Sequence, residues 1–133
     1  MRRDEGDTFW RVEPGPRIIR IVRTAALYTS ADEAGASYEA LWQRVHALPF
    51  DRSRRAVLVD LRLGPQRSDP AFEEATREHR VRVFDGAGAG AVLVRTLSGK
   101  IQLVRHQRQD QGYRTFDDED EAVAFLEEAL VGN

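Results

Sequence analysis

Residues Arg55 to Leu61 read RAVLVDL, a nearly unbroken apolar run with Asp60 near its end and the breaker Gly64-Pro65 after it. A run of this kind, without polar alternation, fits a strand buried on both faces of a parallel sheet. Parallel neighbours cannot be joined by a tight turn, so such a strand demands crossover connections, which are usually helical and right-handed.

The rest of the chain supplies these connections. Thr8 to Glu13 (TFWRVE) and Arg17 to Thr24 (RIIRIVRT) are rich in aromatic and β-branched residues. The Pro14-Gly15-Pro16 link between them is short enough for an antiparallel hairpin. Arg20 interrupts the second strand, so one of its faces is expected to meet water or another charge. Ser30 and Glu33 have the spacing of a capping box. Ala34, Tyr38, Leu41, Trp42, Val45 and Leu48 then recur at helical spacing up to Pro49, with Trp42 read as a core anchor.

Asp69-Pro70 opens a second helix that runs to about Phe84, with Phe72, Ala75, Thr76, His79 and Val83 on its inner face. Asp85 to Gly90 reads as a loop and Ala91 to Arg95 as a buried strand. Residues 99–111 are ambiguous between helix and strand, and a helix is favoured because another crossover is needed. Tyr113 to Phe116 is a short last strand. Asp117 to Glu121 begins a final helix, where acids suit the macrodipole, with Ala122, Phe125, Leu126, Ala129 and Leu130 as its apolar stripe.

The order ββαβαβαβα predicts one α/β domain over residues 8–133. Its sheet is mixed and mostly parallel, with an N-terminal antiparallel hairpin and about four helices, after a flexible start over residues 1–7. The length of 133 residues suits one domain. With 41% hydrophobic and 32% charged residues the composition is globular, and a net charge of −2 gives no bulk reason for a nucleic-acid or membrane partner. The absence of cysteine excludes disulfides, thiol catalysis and Cys-based zinc sites. With no signal-peptide pattern and no apolar run near the ~20 residues needed to span a bilayer, a cytoplasmic location is expected.

Motifs for catalysis are weak. Gly86-Ala87-Gly88-Ala89-Gly90 has glycines spaced as in a dinucleotide loop, but it precedes a strand instead of following one. His46, His79 and His106 lie on three different elements without metal-ligand spacing, and His79 reads as a hydrogen-bonded core residue. An enzymatic reading has only Asp60 and His79 in neighbouring elements to rest on. No catalytic residue, metal or cofactor is expected.

The carboxyl edge of a parallel sheet is where function collects. There the sequence places Asp60, Arg62, Arg67, Ser68, Asp69 and Lys100. Arg62 and Arg67 beside a helix N-terminus suit an anion. The alternative is local: Arg62 pairs with Asp60 or Asp69, and Ser68 helps cap the helix. Arg77 and Arg80 lie on the mixed-charge outer face of the second helix. A homodimer is expected if an edge strand such as Thr8 to Glu13 is open; the alternative is that the Arg and Glu on that strand guard it.

The opening strand pair, the helix, the strand ending in Asp60, Ser68 at the next helix start and the closing strand-helix together resemble a STAS domain, the SpoIIAA-like module of anti-anti-sigma factors. The ending Thr115-Phe116-Asp117-Asp118-Glu119-Asp120-Glu121-Ala122-Val123-Ala124-Phe125-Leu126 is similar to that of a SpoIIAA-like group. The resemblance implies a non-enzymatic protein-protein interaction module in bacterial-type signalling, with a regulatory protein as partner. It also implies a Ser or Thr at the start of the second helix whose phosphorylation switches binding off, and Ser68 holds that place. The flanking residues, Gln66-Arg67-Ser68-Asp69-Pro70, depart from the family's Asp-Ser-Ser-Gly type of motif. The rival expectation is a small-molecule domain holding a phosphorylated metabolite, nucleotide or lipid at the carboxyl edge.

Overall fold

The computed structural model describes residues 8–49, 51–64, 78–79, 81–95 and 113–131. β1 (Trp10–Pro14) and β2 (Ile18–Arg23) form the antiparallel hairpin. β3 (Ala56–Asp60), β4 (Ala89–Leu93) and β5 (Arg114–Phe116) follow β2 in parallel, giving a sheet of five strands among the described residues, in sequence order. The mixed, mostly parallel sheet expected from the sequence is therefore present.

Two α-helices stand among the described residues, α1 (Ala31–His46) and α2 (Glu119–Val131). The expectation of about four helices is met only this far. Residues 78–79 and 81–82 are helical and belong to the expected second helix, while the crossover over 99–111 lies outside the described residues, as do residues 1–7.

The two helices serve opposite faces of the sheet. Along β3 the side chains alternate: Val57 and Val59 join Ile19, Ile21, Leu41 and Val45 on the α1 side, whereas Ala56 and Leu58 join Leu93, Ala122 and Leu126 on the α2 side. All five β3 residues are buried, which explains the unbroken apolar run. Each fully buried aliphatic side chain here stabilises the fold by roughly 1.5–3 kcal/mol. Val83 and Phe84, just before β4, also pack on the α1 side.

The start of α1 is capped as its sequence suggests, with one difference. Ser30 Oγ accepts from the Glu33 amide at 3.1 Å. The Glu33 carboxylate reaches one residue past the cap and accepts from the Thr29 amide and hydroxyl, at 2.7 and 2.9 Å. Trp42 is not the core anchor expected of it. It is half-buried, with its ring centroid 4.2 Å from that of His46 and the Arg82 guanidinium also 4.2 Å from it.

The glycine-rich segment is only partly a loop, because Ala89 and Gly90 already belong to β4. Gly86 takes the left-handed conformation at φ 82°. Gly88 lies where two backbones meet: its amide donates to the Arg55 carbonyl at 2.8 Å, and an added Cβ would stand 2.6 Å from the Ser53 carbonyl oxygen. Gly88→Ala is therefore expected to cost about 1–3 kcal/mol, an overpacking penalty. At Gly35, inside α1, the one contact an added Cβ would make among the described residues is with His79 Nε2, at an ordinary 3.7 Å. Gly35→Ala is expected to gain up to about 1 kcal/mol from helix propensity. Thermal melts of the two variants check this opposition of sign.

The hairpin edge is guarded. Thr24 N donates to Phe9 O and Gly15 N to Ile18 O, so by alternation Trp10, Val12 and Pro14 turn their backbone away from the sheet. Arg44 Nη2 covers the outward Trp10 carbonyl at 3.3 Å, and Pro14 has no N–H to offer. The edge considered for a homodimer is thus blunted at both ends.

Candidate functional site

Asp60 ends β3 on the α2 side of the sheet, and only 5% of it is exposed. A buried carboxylate requires compensation, and two arginines provide it. Arg62 donates to Oδ1 from its amide and Nε at 3.1 and 3.0 Å, and to Oδ2 from Nη2 at 2.8 Å. Arg20 Nη2 approaches Oδ2 from β2, also at 2.8 Å. Both arginines then reach Glu119 at the first turn of α2, Arg20 through Nη1 and Arg62 through Nη2, each at 3.0 Å.

Two cations and two anions close on themselves across β2, β3 and α2. Burial opposes ionisation of Asp60, but the hydrogen bonds from Arg62 and the nearby charges outweigh it and hold the carboxyl below its ordinary range. The hydrogen bond from Arg20 does the same for Glu119. The Arg62 guanidinium is held more firmly protonated, chiefly by its hydrogen bond to Asp60. The cluster ties the start of α2 to the carboxyl end of β3.

Of the residues expected at this edge, the structure brings together Asp60 and Arg62, in the local pairing that was the alternative to anion binding. Arg67, Ser68, Asp69, Arg77, Arg80 and Lys100 lie outside the described residues. Asp60 and His79 are not brought together. Asp60 faces α2, while the His79 ring stacks on Tyr38 of α1, centroids 5.7 Å apart, on the opposite side of the sheet. His79 is half-buried, and among the described residues it makes this ring contact and no core hydrogen bond of the kind expected. Among the described residues no group of three or more His, Asp or Glu could hold a metal ion.

Sequence reasoning missed three residues. Arg20 and Glu119, the partners that close the cluster, lie 99 positions apart. The charge breaking the run IIRIV was a signal for Arg20, but nothing local singled out Glu119 from its acidic neighbours. The third is Arg23, whose guanidinium carbon lies 4.5 Å from the Tyr28 ring centroid, 5.4 Å from Phe9 and 5.7 Å from Trp10. The strand period of two already placed Arg23 on the buried face with Ile19 and Ile21.

Fold and site together define a mixed α/β protein with a self-neutralised charge cluster at the carboxyl edge of its sheet. Comparison of the chain with protein-family models, with curated proteins and with solved structures found no match. No helix among the described residues is long and apolar enough to cross a membrane.

Proposed function

We propose that the chain is a non-enzymatic, STAS-like interaction module in bacterial-type signalling, acting in the cytoplasm on a regulatory protein partner. The observation that carries this reading is how Asp60 and Arg62 are used. They are engaged with each other and with Arg20 and Glu119, so the most chemically suggestive pair at the carboxyl edge has a structural task. Support also comes from the succession of elements, a hairpin opening a parallel sheet that a terminal helix closes, which is the succession the resemblance implies. The partner surface in this reading is the second helix with Arg77 and Arg80, and the loop before it.

Ser68 is the switch in this reading. A phosphate brings close to two negative charges at neutral pH and turns a docking surface against an acidic partner. Mass spectrometry of the protein from its own cells is expected to find phosphate on Ser68, and Ser68→Glu to lose the partner that Ser68→Ala keeps. Equal capture by both variants, with Ser68 unmodified, refutes the switch.

The small-ligand reading in its original form loses support, because Arg62 already has two carboxylates to satisfy it.

A further inference from the structure

The structure holds a second cation at the carboxyl edge whose situation is the reverse of Arg62. Arg23, the last residue of β2, is 7% exposed, yet among the described residues no carboxylate pairs with it. Burying an arginine without a counter-charge is costly. Three aromatic rings offset part of that cost by lying toward the guanidinium, Tyr28 closest. Rings satisfy the π face of a guanidinium but not the five N–H donors on its rim. Among the described residues, the one hydrogen bond from that rim runs from Nη1 to the Thr24 carbonyl, at 2.7 Å.

The surroundings of Arg23 are built and apolar. Its Cγ lies so near Gly64 that a Cβ there would stand 2.8 Å away, which brings the loop after β3 against the loop after β2. Next to Gly64 in the chain is Leu63, 64% exposed, and next to Tyr28 is Leu27, 69% exposed. Among the described residues only three large hydrophobic side chains are so exposed, and two of them flank the residues that touch Arg23. A buried guanidinium with no carboxylate partner among the described residues, at the strand ends where α/β sheets receive ligands and touching residues whose chain neighbours are exposed leucines, is the layout of a site for an amphipathic anion.

We propose that Arg23, with Leu27 and Leu63, forms a binding site for a small organic oxyanion, a carboxylate or phosphate ester carrying an apolar body. The guanidinium rim takes the charged head in bidentate fashion, as arginine does for either group. The leucines take the apolar body. This site uses Arg23 rather than Arg62 as its cation.

The test is an NMR titration of the full chain with octanoate and with octyl phosphate, both below their micellar concentrations. The expected result is perturbation of the Arg23 Nε–H signal and of the amides of residues 24–28 and 61–64. Tighter binding of octanoate assigns the head as a carboxylate, and tighter binding of octyl phosphate assigns it as a phosphate. Arg23→Gln is expected to weaken binding at least tenfold. The double variant Leu27→Ser, Leu63→Ser, at exposed positions, is expected to weaken it several-fold and decides the matter if Arg23→Gln does not fold. No perturbation by either probe at millimolar concentration, or affinity unchanged in these variants, overturns the proposal.

Discussion

Trp10→Ala is expected to lower the unfolding free energy by about 3–5 kcal/mol, the range for truncating a large aromatic in a packed core. Trp10 is 1% exposed and stands in the α1-side core with Val12, Ile21 and Leu41. Its indole Nε1 donates to the buried Ser37 hydroxyl of α1 at 2.9 Å, so it fastens the edge strand to the helix by a polar contact as well as by area. Tyr28 donates to the same oxygen at 2.9 Å, so Ser37 keeps one partner after the substitution. A domain of this size is stable by only about 5–15 kcal/mol, so the variant sits near the limit of folding. Urea denaturation followed by circular dichroism measures the effect. A loss below about 1 kcal/mol would mean that Trp10 is not the anchor of β1.

Asp60→Ala is the second large effect, at about 2–3 kcal/mol. Removing one member of a fully buried ion pair typically costs about 3–5 kcal/mol because the partner is left uncompensated. The cost is discounted here because Arg20 and Arg62, with side chains 25% and 37% exposed, keep Glu119 and can take up water. The same cluster sets a pH dependence. Asp60 and Glu119 titrate lower in the folded chain than in the unfolded one. Their contribution is therefore complete above the unfolded-state values, near pH 4, and is lost as the pH falls through the folded values. Stability should be flat from pH 7 to about 5 and fall below 4, and Asp60→Ala should flatten that fall. Denaturation curves at pH 7, 5 and 3 for both proteins test it, and parallel curves would remove the cluster from the explanation.

The fold was legible where local pattern and tertiary environment agree. RAVLVDL announces a strand covered on both faces, and both faces of β3 are covered. The start of β4 was not legible, since glycine and alanine carry little strand preference. Gly90 is placed in the ladder by its pairing with Val57, a tertiary fact. Trp42 misled for a related reason. Its helical spacing fits the inner face, but the ring is half-buried and meets His46 and Arg82, a contact no local pattern announces. At the site, the sequence offered two fates for Arg62 and could not choose. The choice depends on Arg20 and Glu119, which no local spacing connects to Asp60.

The central claim is that the chain works by holding a protein partner on its second helix. Affinity capture from its own cells, comparing the native chain with the double variant Arg77→Glu, Arg80→Glu, tests that claim most directly. The account predicts a regulatory protein retained by the native chain and lost by the charge-reversed one, with the fold of both intact by circular dichroism. The same partner captured equally by both would contradict it.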